Sequence, residues 1–131
     1  MADFTLSRTV NTPYAPTVEA VRQGLADQGF GVLTEIDLAA TLKEKLGVDV
    51  EPQVILGACR PQLAHEALQA DPSIAAVLPC NVVVRSVDDS TSVVEAFDPD
   101  AMVRMAGDAE ALRAVAADAR ERLQGLLDTL A

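Results

Sequence analysis

Two runs constrain this chain more than any other feature. Residues 54–59, VILGAC, and residues 81–87, NVVVRSV, set aliphatic side chains at consecutive positions and are therefore apolar on both faces of a strand. A strand of that kind needs cover on both sides. Between the two runs Pro61 stands at a first helical position, and Leu63, Ala64, Ala67 and Leu68 line one side of a helix, so the stretch reads as strand, helix, strand. It also holds both cysteines, Cys59 and Cys80, and the only histidine, His65.

The rest of the chain supplies elements to pack around that unit. Residues 4–10 alternate as a strand with Phe4, Leu6, Arg8 and Val10 on one side, and residues 11–16, with two prolines, read as a turn. Residues 17–28 carry Val18, Val21 and Leu25 on one helical face, and Gly29 is a natural left-handed stop. Residues 31–37 read as a second strand with Val32, Thr34 and Ile36 on one face and Leu33 and Glu35 on the other. Asp37 then caps a helix in which Leu38, Leu42 and Leu46 repeat before Gly47 ends it. Asp71-Pro72 starts a short helical turn through Val77, and residues 91–97 pair back on 81–87 across Asp88-Asp89-Ser90. Asp98-Pro99 caps one more turn, and a long helix after Gly107 lines up Leu112, Val115, Ala119, Leu123, Leu126 and Leu130.

This order predicts an α+β fold in one domain, residues 1–131: a two-layer sandwich of a mainly antiparallel sheet with helices on one face. A doubly wound parallel sheet is the alternative, disfavoured by the hairpin and by the lack of a glycine-rich turn after the first strand. Helices on one face leave the other face of residues 54–56 and 82–84 uncovered, which predicts a homodimer; wrapping within one chain is the competing account.

Ten Lys and Arg against twenty Asp and Glu give a formal charge of -10, which repels polyanions, so neither nucleic acid nor an anionic membrane is expected as a partner. No signal peptide or membrane span is read, and the expected location is the cytoplasm, with Cys59 and Cys80 as thiols. Aromatic residues make up only 3% of the chain, so a site built on stacked rings is not expected.

Three blocks, GFGVLTEIDLAATLKEKLGVD at 29–49, ILGACRPQLAHEALQADPSI at 55–74 and LPCNVVV at 78–84, resemble the signature blocks of the domain-of-unknown-function 302 family. The resemblance implies a small bacterial or archaeal domain, often dimeric, with a fold similar to that of the TATA-binding protein. That fold similarity carries no DNA-binding function with it. Asn often stands in the family block where this chain has Arg60.

The candidate site is drawn around Cys59 and Cys80, which antiparallel neighbouring strands would set at the same sheet end. Cys59 precedes a helix start, where the helix dipole and Arg60 favour a thiolate. A binding module for a small ligand or a soft metal ion near Cys59 and Cys80 is the first expectation, with Arg60, Asn81 and Glu35 as further ligand-binding residues and the two sulfurs as metal ligands. The alternatives are a thiol or redox enzyme with Cys59 as nucleophile and Cys80 as resolving thiol, and a structural dimer or interaction protein. Free cysteines often serve only as small buried hydrophobes, and no cofactor is specified. His65 falls six positions after Cys59, off the helical spacing that would align them, and Met102 and Met105 read as packing.

Overall fold

The computed structural model describes residues 3–107 and 109–131. Five strands form one antiparallel sheet in the order β1-β5-β4-β3-β2. These are β1 (Thr5–Val10), β2 (Gly31–Asp37), β3 (Gln53–Cys59), β4 (Cys80–Asp88) and β5 (Thr91–Phe97). The helices are α1 (Tyr14–Asp27), α2 (Leu38–Leu46), α3 (Pro61–Ala70), α4 (Pro99–Met105) and α5 (Glu110–Asp128), with a 3-10 turn at Pro72–Val77. The architecture is the α+β sandwich that the sequence predicts.

Alternation divides the sheet. Leu6 and Val10 of β1, Val94 and Ala96 of β5, Val82 and Val84 of β4, and Val54, Leu56 and Ala58 of β3 are buried in one cluster with Val21 and Leu25 of α1 and Leu123, Leu126 and Leu127 of α5. Arg8, expected with Leu6 and Val10, is exposed on the edge strand β1. The N-terminal half of α5 makes a second core: Leu112, Val115, Ala116 and Ala119 pack with Leu63 and Ala67 of α3, Ile74, and Met102 and Val103 of α4. One amphipathic helix thus ties the sheet layer to the helices beyond its end.

Local chemistry sets the ends of the elements. Asp37 caps α2 by accepting from Ala40 N–H at 2.9 Å, Asp71 accepts from Ser73 N–H, and Asp98 accepts from Asp100 N–H. Gly29 and Gly47 follow α1 and α2 with φ of 85° and 70°, the left-handed stops expected of them. Helix α1 begins earlier than the prolines suggest, at Tyr14 after Pro13. Pro16 falls in the first turn, where a missing N–H breaks no intrahelical bond.

Two bulges correct the expected faces. In β2 the register shifts between Val32 and Thr34, so Val32 pairs with buried Ala58 while Thr34 pairs with Gly57 and Ile36 with Ile55. Val32, Glu35 and Asp37 therefore share the helix-covered side, and Thr34 and Ile36 take the other. In β4 a shift between Ser86 and Asp88 pairs Val83 with Glu95 and Arg85 with Val93. The side of the sheet away from α1 and α5 consequently carries Thr5, Gln53, Ile55, Asn81, Val83, Arg85, Glu95 and Phe97. We call it the open face.

Candidate functional site

The expected site residues separate into two places, and one lies outside both. Strands β3 and β4 are antiparallel with Ala58 opposite Cys80, which brings Cys59 and Cys80 to the same sheet end as expected. Both are free thiols and line a hollow of about 30 Å³ walled by Phe30, Leu63, Ala67, Leu78, Met102 and Val115. Burial, and then the neighbouring Cys59, pushes the Cys80 thiol up to about 11. Arg60 borders this hollow and reaches across to Asp118 of α5 at 3.8 Å. Asp118 also holds Arg122 at 3.1 Å, so the Arg60 charge is directed at α5. No group of three or more His, Cys, Asp or Glu able to hold a metal ion occurs among the described residues, and His65 is exposed on α3.

Glu35 stands apart from the thiols. It pairs with Leu56, three positions along β3 from Cys59, a separation of about 10 Å at the rise of an extended strand. Arg22 of α1 donates to its carboxylate, and Glu19 lies 3.8 Å from the same guanidinium. Glu35 is thus a solvated, ion-paired edge residue.

Asn81 faces a larger concavity, a hollow of about 580 Å³ on the open face. Its floor is sheet, with Val83 and Phe97 apolar and Arg85 and Glu95 polar; its rim is made by Phe4, by Val77 and Pro79 after the 3-10 turn, and by Met105 at the end of α4. Met105, expected to pack, is instead exposed at the mouth of the hollow. At the centre Arg85 Nη1 donates to Glu95 Oε1, and the Thr5 hydroxyl donates to Glu95 Oε2 at 2.8 Å. The Arg85 hydrogen bond is the main reason the Glu95 carboxyl sits below its ordinary pKa and stays ionised, with Thr5 adding to it.

The β4–β5 register sets Arg85 and Glu95 diagonally on one face, and Gly57 lets Pro79 of the rim lie close against the sheet. A Cβ on Gly57 would fall 2.1 Å from Thr34 Oγ1 and 2.9 Å from Pro79 Cγ, so a glycine there lets Thr34 and the Pro79 ring lie across β3.

The family model described as "Domain of unknown function DUF302" matches residues 6–130. The chain belongs to this family. A solved DUF302 structure, that of an uncharacterized conserved protein from Bacillus stearothermophilus, is 34% identical, covers 99% of this chain and 100% of its own, and superposes with a TM-score of 0.89. No curated protein matches. DUF302 membership agrees with the three sequence blocks and assigns no chemistry, so a functional reading of this DUF302 domain rests on the geometry of its own hollows. Of the larger one sequence reasoning named only Asn81 and missed the rest of the lining, Thr5, Gln53, Arg85 and Glu95 among its polar groups. Arg85 and Glu95 were visible as charges inside apolar strands, and the pairing of 91–97 on 81–87 across Asp88-Asp89-Ser90 already sets them on one face, but nothing local shows that this face carries a hollow.

Proposed function

We propose that this domain is a non-enzymatic binding module whose small-molecule ligand lies in the open-face hollow. The observation that carries this reading is the hollow itself: about 580 Å³, apolar over Phe4, Val77, Pro79, Val83, Phe97 and Met105, with a few polar groups converging on its floor. Small-ligand sites have this size and this mixture, an apolar lining that supplies affinity and a few polar groups that fix orientation. Asn81 is the expected site residue that takes part.

The thiol hollow supports a packing role. A volume of about 30 Å³ has room for a water or two, too little for an organic ligand. A thiol pushed up to about 11 is a poor source of thiolate at neutral pH, which weighs against both a soft-metal pair and a resolving thiol. Cys59 and Cys80 are read as small, half-buried hydrophobes between the two cores.

A neutral apolar probe tests the site. Titration of 1-octanol into ¹³C-methyl-labelled protein is expected to shift Val83 and Met105 and to leave Leu63 and Val115 unmoved. Shifts confined to Leu63 and Val115 would contradict the reading.

A second reading concerns assembly through a second copy of this chain. Leu33 and Leu46 are 66% and 69% exposed, and Ile36, Val48 and Val50 are exposed beside them on β2, α2 and the connector to β3. The chain exposes 7201 Å² for 13.8 kDa, whereas a compact monomer of that mass exposes roughly 6600 Å². An apolar margin along an edge strand, in a chain with surplus surface, suits a twofold pair. The hollow lies over β1, β5 and β4, toward the opposite edge of the sheet.

A further inference from the structure

Hydrogen-bonding capacity in the open-face hollow is unbalanced toward donors. Both Glu95 oxygens are engaged, one by Arg85 Nη1 and one by the Thr5 hydroxyl. The Arg85 guanidinium has five N–H groups and makes no hydrogen bond except to Glu95 among the described residues, with 40% of its side chain exposed. The side-chain amides of Gln53 and Asn81, which also line the hollow, make no hydrogen bond among the described residues. A ligand entering the hollow therefore meets a carboxylate with both oxygens already accepting, a guanidinium with donors to spare and two uncommitted amides.

Each ligand class fares differently against that inventory. A cation would have to draw Glu95 away from two hydrogen bonds and approach Arg85. A neutral molecule gains the apolar walls and a hydrogen bond from Arg85 to a neutral acceptor, weaker than one between two opposite charges. A phosphate dianion brings two charges to a site where Arg85, the cation among the described lining residues, is already paired, in a chain of net charge -10. A carboxylate brings one charge, spread over two coplanar oxygens that match the guanidinium fork. Glu95 occupies one edge of that fork and fixes its orientation, which makes it a positioning residue.

Resting on the ligand-site reading above, we propose that the open-face hollow binds a small monocarboxylate with an apolar body. The outer N–H groups of Arg85 hold the carboxylate, with Asn81 or Gln53 as a second donor, and the hydrocarbon lies over Val83 and Phe97 toward Met105. The hydrocarbon supplies much of the affinity, and Arg85 supplies the preference for an acid over an alcohol of equal length.

The test is calorimetric titration of the intact protein at pH 7 with octanoate, 1-octanol and octyltrimethylammonium. Octanoate is expected to bind at least tenfold more tightly than octanol, and the cation not to bind. Arg85→Gln is expected to bring octanoate down to the octanol level while octanol is unchanged; the pair it breaks is partly exposed and contributes little to folding. The comparison on the unmodified protein stands whether or not that variant folds. Equal affinity for octanoate and octanol, or a preference for the cation, would overturn the carboxylate assignment and leave the hollow standing as a ligand site. Binding of neither octanoate nor octanol would overturn both.

Discussion

At Cys80, burial beside a second thiol governs both reactivity and pH response. Its proton is held to about 11 in the folded chain against 9.0 ordinarily, so the linked stability is fully present below pH 9 and is lost as pH rises through about 11. The loss amounts to about 2–3 kcal/mol at most. Urea midpoints measured from pH 8 to 11 are expected to fall, and Cys80→Ala to fall less over the same range; parallel curves would show that Cys80 is not the group responsible. The placing of both thiols at one sheet end was legible in the sequence, because the two flanking strands were plain. Their environment was not, since the apolar wall comes from Phe30, Met102 and Val115, remote in the chain. Asp37, by contrast, was readable as a cap because its partner, Ala40 N–H, is three residues away.

Among the elements, β3 and β4 came through the sequence almost intact and the bulges did not. A two-residue turn with unbroken pairing would set Glu95 opposite Val84, on the buried side. The shift between Ser86 and Asp88 sets it opposite Val83, on the open face beside Arg85. One inserted residue thus decides which face Glu95 takes; the turn read at Asp88-Asp89-Ser90 already implies the pairing with Val83, so the faces were legible although the bulge itself was not. The β2 bulge has the same effect on Val32 and Thr34. At Gly57 the consequence is measurable: Gly57→Ala puts a methyl against Thr34 and the Pro79 ring and is expected to lower stability by about 1–3 kcal/mol in urea melts. Thr34 can turn aside, but the ring beside it is rigid, so adding Thr34→Ala should recover only part of the loss. An unchanged midpoint in Gly57→Ala would mean that the crossing is looser than described.

For the whole molecule, the apolar patterning foretold a sheet with too few helices to cover it, and the described structure has one face without a helix layer. The expected dimer took its argument from that face; the large exposed hydrophobics lie partly elsewhere, on the β2–α2 margin. Leu33→Glu with Leu46→Glu is therefore expected to convert a dimer to a monomer by light scattering at micromolar concentration without changing octanoate affinity. A monomer mass for the unmodified protein would remove the twofold pair. That the exposed β2–α2 margin and the hollow lie toward different edges was not legible in the sequence, because it depends on the order of strands across the sheet, with β2 at one edge and β1 at the other. The central claim is that the ligand site of this domain is the open face and not the thiol pair. A crystal structure of the protein with octanoate tests it most directly: density is predicted over Val83 and Phe97 with the carboxylate on Arg85, and density among Cys59, Cys80 and Leu63 with the open face bare would contradict it.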